Sequence, residues 1–173
     1  SREQEIKKIL KTIIKVIPDY PNYQFVIAGA PNIKINFYKK IIGDTNITIV
    51  KNKTYELLSI STAAIVTSGT ATLETALFKV PQIVCYKSSL ISYFIAKLLV
   101  KIKYISLVNL IMDQEIVKEL IQHNCNKNSI SFELNKILDS TNRKKLLLNY
   151  DKLISILGKS GTSKRIALDI VKI

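Results

Sequence analysis

A chain of 173 residues, 47% of them hydrophobic, is long enough for one packed domain and too apolar to remain disordered. Its 26 lysines and arginines against 13 acids give a formal net charge of +13, which favours anionic partners without choosing one. Only three of those cations are arginines, and the lysines are scattered between apolar residues, so nucleic acid is not an expected partner.

Helical spacing of Ile6, Ile9, Leu10, Ile13, Ile14 and Ile17 predicts a first helix that stops at Pro18. A short buried strand is read over Tyr23 to Ala28, closed by Gly29 and Pro31. Lys34 to Ile42 then reads as a helix and Asn46 to Val50 as a strand. Thr54 to Ile60 reads as a helix capped by Thr54, and Ala63 to Val66 as a strand. A helix over Ala71 to Phe78 and a strand over Gln82 to Tyr86 follow, with mainly helices expected beyond. The alternation implies an α/β fold, a Rossmann-like parallel sheet with helices on both faces, in a single domain over 1–173. In such a sheet, ligands bind where the strand-to-helix loops converge, here Gly29 to Asn32, Lys51 to Lys53, Thr67 to Thr70 and Tyr86 to Ser89.

Cys85 and Cys125 lie far apart, outside any paired-cysteine motif, and read as free thiols in a reducing, cytoplasmic compartment. His123 is the only histidine and lacks neighbours at ligand spacing, so it reads as a surface or helix-end residue and no metal is expected. No leader pattern opens at Ser1, and the most apolar stretch, Ile91 to Val100, is broken by Lys97, well short of the ~20 apolar residues of a membrane span.

The turn Ser68, Gly69, Thr70 after the third strand has two readings. Backbone N–H groups and hydroxyls at a helix start suit a phosphate; serine, threonine and glycine are also what an unliganded helix start prefers. Glu74, four residues past Thr70, lies about one helical turn deeper on the same side. It is either a solvated carboxylate or an acceptor for two ribose hydroxyls. No Walker-type loop, dinucleotide glycine motif or Asp-x-Asp pair accompanies it. The second Ser-Gly-Thr, Ser160 to Thr162, follows a helix and reads as a cap only.

The segment "SGTATLETALFKVPQIVCYK" from Ser68, with "LVKIKYISLVNLIMDQEIVKELIQ" from Leu99 to Gln122, resembles the C-terminal, donor-binding half of the lipid-A-disaccharide synthases, a family of GT-B glycosyltransferases. "SREQEI" at Ser1 resembles the end of that family's Gly-Ser-Arg motif, whose glycine and preceding strand are absent from this sequence. The resemblance implies an inverting, metal-independent transfer of diacylglucosamine from its UDP donor to diacylglucosamine phosphate, giving lipid A disaccharide phosphate. It also implies that Arg2, Ser68, Gly69 and Thr70 support the diphosphate, that Glu74 holds the ribose, and that Asn109 lines the donor pocket. Tyr86 and Lys87 approach from the next loop. The family's general base lies in its N-terminal half, so these residues alone are expected to bind donor without turnover, and no cofactor is expected. The expected partners are the UDP-diacylglucosamine donor, the N-terminal half of the same enzyme and an anionic membrane surface on the cytoplasmic face of the inner membrane. A homodimer is left open. The membrane reading draws on "LISYFIAKLLVKIKYISL", Leu90 to Leu107, where aromatic and aliphatic residues alternate with Lys97, Lys101 and Lys103. A fold of this kind also carries UDP-N-acetylglucosamine epimerases, or a freestanding UDP-sugar-binding module. The epimerases tend to have paired carboxylates after the turn, where this sequence has Glu74 alone.

Overall fold

A computed structural model describes residues 3–67, 69–87 and 103–158. Helix α1 (Glu3–Ile14) buries Ile9 and Leu10 from its isoleucine-rich stripe, and a 3-10 turn at Ile17–Asp19 carries Pro18 where a missing N–H costs nothing. Strand β1 (Val26–Gly29), α2 (Ile35–Ile42), β2 (Thr48–Lys51), α3 (Thr54–Ile60), β3 (Ala64–Val66), α4 (Thr70–Leu77) and β4 (Gln82–Tyr86) follow in strict alternation. Helix α5 (Leu107–Met112), β5 (Lys118–Ile121), α6 (Lys127–Leu138) and α7 (Ser140–Leu157) complete the described chain.

Every strand pair is parallel, and the architecture is α/β with helices over the sheets, as the alternation predicts. The strands fall into two hydrogen-bonded groups, β1–β2 and β3–β4–β5. Helix α1 unites them by packing: Ile9 belongs to the large apolar cluster around β4, and Leu10 to the smaller one with Ile33, Tyr38 and Ile42. Parallel strands need both faces covered, and β4, buried from Gln82 to Cys85, is the best covered. Its side chains alternate in direction. Gln82 meets α4 and α7, donating from Nε2 to the Thr72 carbonyl at 2.8 Å and to the Tyr150 hydroxyl at 3.3 Å.

One expectation changes. Thr54 does not cap α3; Lys53 holds the cap position, no side chain bonds the helix start, and Thr54 is the first helical residue. The described stretch after Tyr86 is mainly helical, with one strand not foreseen, Lys118–Ile121, which forms β5 against β4. A four-residue strand that begins Lys-Glu carries little apolar signal; its pairing partner supplies what its composition lacks. The cap positions of the last three described helices do use their side chains: Ser106 accepts from the Asn109 N–H, Asn126 from Ser129, and Asp139 from Thr141 and Asn142. Cys85 and Cys125 are free and buried, and His123 is exposed in a 3-10 turn after β5. No helix among the described residues is long and apolar enough to cross a membrane.

Burial raises the Tyr150 phenol well above its ordinary value of 10.0, against the smaller opposing effect of its hydrogen bonds to Gln82. A raised folded-state pKa contributes stability that is complete below the unfolded value and is lost as pH rises towards the folded one. Denaturant unfolding across that range should therefore show stability falling above about pH 10, and Tyr150→Phe should flatten that fall while costing about 1 kcal/mol at neutral pH.

Candidate functional site

Among the four loops at the carboxyl edge, the one after β1 is already closed. Tyr38 accepts from the Ala30 N–H at 2.9 Å, and the Lys51 ammonium donates to the carbonyls of Pro31 and Ile33, each at 2.9 Å. The open space lies instead between the β2–α3 loop and α4. A cavity of about 260 Å³ is lined there by Asn52, Thr54, Tyr55, Glu56 and Glu74. That is below the usual size of a whole small-molecule pocket, so it suits part of a larger ligand.

Gly69 opens α4 with φ 59° and ψ −136°, backbone that essentially only glycine adopts. Among the described residues, no atom outside its chain neighbours and its own helix backbone lies within 4 Å of where a Cβ would stand, so the glycine answers to its conformation. No described side chain caps the helix. Thr70 is exposed in the first turn, and Glu74, half-buried, faces the cavity one turn on. The Tyr55 hydroxyl donates to Glu74 Oε1 at 3.1 Å, and the Tyr55 ring stacks on Phe78 with centroids 5.4 Å apart and planes at 25°.

Behind this edge a hydrogen-bonded frame joins α4, α5 and β5. Thr72, fully buried, donates to the Gly69 carbonyl at 2.7 Å and accepts from the Leu107 N–H at 3.2 Å. Gly69 and Ser106 form a parallel bridge. Glu119 accepts from the N–H groups of Ile105 and Ser106, both at 2.9 Å, and from Asn109 Nδ2 at 2.9 Å. Asn109 also donates to the Val117 carbonyl at 2.8 Å and accepts at Oδ1 from the Ile116 and Val117 N–H groups at 2.8 and 2.9 Å.

Of the residues singled out in the sequence, Gly69, Thr70 and Glu74 share one helix start beside the cavity. Asn109 is fully buried, and both its amide nitrogen and its oxygen are occupied twice by protein groups; it braces the edge from behind. Tyr86 ends β4, and Lys87 donates from its ammonium to Thr12 Oγ1 of α1 at 3.0 Å. Arg2 and Ser68 lie outside the described residues, as do most of Leu90 to Leu107 and the second Ser-Gly-Thr at Ser160 to Thr162. Sequence reading missed Tyr55, Thr72 and Glu119. Only Thr72 carried a local signal, as a third hydroxyl residue just after the glycine turn. The partners of Tyr55 and Glu119 are too distant in sequence for any spacing to betray. Among the described residues no cluster of His, Cys, Asp or Glu could hold a metal ion.

Comparison with known proteins bears on this arrangement. The sequence model of the lipid-A-disaccharide synthetase family matches residues 1–168. The chain belongs to this family. It is 35% identical over 184 residues to the lipid-A-disaccharide synthase of Persephonella marina, an alignment covering 99% of this chain and 48% of that protein. A Sulfurihydrogenibium synthase is 37% identical, with 95% of this chain and 47% of the relative covered. The Rickettsia prowazekii synthase is 33% identical, with coverage of 98% and 43%. The chain thus spans about half the length of the curated relatives it matches. The family is one of GT-B glycosyltransferases in lipid A synthesis.

Replacing Asn109 by alanine would remove its bonds to the buried Val117 N–H and carbonyl and one of the two bonds of the Ile116 N–H, which also donates to the Gln114 carbonyl. Asn109→Ala should therefore cost on the order of 3 kcal/mol, read as a lowered midpoint in urea unfolding.

Proposed function

We propose that these residues form the UDP-donor-binding half of a glycosyltransferase that transfers diacylglucosamine from its UDP donor to diacylglucosamine phosphate, forming lipid A disaccharide phosphate. The observation that carries the reading is Glu74, which faces the cavity one turn beyond an α4 start opened by Gly69. A helix start of this kind, with its positive dipole end, suits the diphosphate, and a carboxylate one turn on accepts from two ribose hydroxyls. Gly69 and Thr70 border the diphosphate in this reading, joined by Ser68 and Arg2. Tyr86 and Lys87 serve the neighbouring loop, and Asn109 acts through the frame that holds Ser106 and Leu107 against Gly69 and Thr72.

The transfer is inverting and independent of metal in this proposal, so stabilisation of the leaving diphosphate falls to N–H groups, hydroxyls and Arg2. The general base and the acceptor pocket belong to an N-terminal half outside these 173 residues, and the donor domain alone turns over no substrate. The division into one donor-binding domain over 1–173 is part of the same proposal.

Calorimetric titration tests the nucleotide assignment. UDP should bind more tightly than ADP, and Glu74→Ala should weaken UDP by about tenfold, the loss of one strong charge-assisted contact. Equal affinity for the two nucleotides would remove the uridine assignment.

The protein is further proposed to work as a cytoplasmic enzyme at the inner face of the inner membrane, where an anionic surface presents its acylated substrates. The high positive charge and the basic, aromatic stretch from Leu90 to Leu107 support this. Lys103, at the edge of that stretch, is exposed and already pairs with Asp113 at 3.3 Å. Changing Lys97, Lys101 and Lys103 together to glutamate should abolish sedimentation with vesicles rich in anionic lipid while leaving the circular dichroism spectrum unchanged.

A further inference from the structure

We infer that Tyr55 is a positioning residue for Glu74, turning its carboxylate towards a vicinal diol of the ribose type. This inference rests on the donor-binding reading above. Tyr55 is 55% exposed, yet it is held at two points. Its ring lies on Phe78, four residues beyond Glu74 at the C-cap of the same helix. Its hydroxyl donates to Glu74 Oε1 at 3.1 Å. That hydrogen bond and the charge of Glu74 raise the phenol pKa, which keeps the group protonated and able to donate.

A glutamate on a helix surface samples several rotamers, and a diol needs the carboxylate in one orientation. Ordering a long side chain costs conformational entropy, and a residue that orders it beforehand removes part of that cost from binding. The phenol takes one acceptor site on Oε1 and leaves Oε2 with the remaining Oε1 site for two ligand hydroxyls. Both residues line the same cavity, together with Asn52, Thr54 and Glu56 of the β2–α3 region. Tyrosine suits the task because its two torsions make it rigid, and stacking on Phe78 fixes the ring.

The test is calorimetry with UDP and with dideoxyuridine diphosphate, which lacks both ribose hydroxyls, on the parent, Tyr55→Phe, Glu74→Ala and the double variant. Tyr55→Phe keeps the stacked ring, so the fold is retained, and circular dichroism checks it. The expected result is a loss of about three- to tenfold for UDP in Tyr55→Phe, no change for the dideoxy nucleotide, and no further loss when Tyr55→Phe is added to Glu74→Ala. Equal losses for both nucleotides, or an undiminished loss in the Glu74→Ala background, would mean that the phenol acts through something other than the carboxylate. No loss for UDP in Tyr55→Phe beside a clear loss in Glu74→Ala would overturn the positioning role and leave the donor reading standing. Failure of the parent to bind UDP would overturn both.

Discussion

Buried polar groups need partners, and behind this edge of the sheet that demand falls most heavily on one side chain, Asn109. Its amide meets four protein partners, and one of them, Glu119, also receives the N–H groups of Ile105 and Ser106. The same edge continues through the Leu107 N–H to Thr72 and from Thr72 to the Gly69 carbonyl. A left-handed glycine turn at a helix start is intrinsically adaptable. Here the Gly69 carbonyl is tied through Thr72 to the neighbouring helix and, through Glu119, to the edge strand.

The division of the strands into two groups gives the cavity its character. Tyr55 comes from the region after β2, in one group, and Glu74 from the helix after β3, in the other. Their hydrogen bond crosses between the groups at the carboxyl edge, while α1 joins them by packing Ile9 into one cluster and Leu10 into the other. The loop after β1 is different in kind. Lys51 donates to the Pro31 and Ile33 carbonyls and Tyr38 accepts from the Ala30 N–H, so these groups of the loop are already occupied.

The elements that the sequence disclosed are those whose signal is local. Val26, Ile83 and Val84 lie in apolar runs bounded by glycine or proline, and the isoleucines of α1 repeat at helical spacing; all became what they suggested. Strand β5 was not visible because Lys118 and Glu119 owe their extended form to pairing with β4, a contact some 35 residues away. The cap of α3 shows the converse: Thr54 has the right chemistry, but the chain enters the helix one residue earlier, at Lys53. At the candidate site, Thr70 and Glu74 could be read together because four residues make about one helical turn, with Gly69 opening the helix before them. Asn109 was read, from the resemblance, as lining the donor pocket. That it faces inward, with every valence taken, follows from a fold that brings Val117 and Glu119 back beside it.

The chain contains eight tyrosines and no tryptophan. With no indole present, phenol absorption and emission are unobscured, and Tyr55, hydrogen-bonded to Glu74, lines the cavity. Whatever enters that cavity and engages the carboxylate alters the surroundings of this phenol, so the protein carries an intrinsic optical probe at the place where a ligand would first be felt.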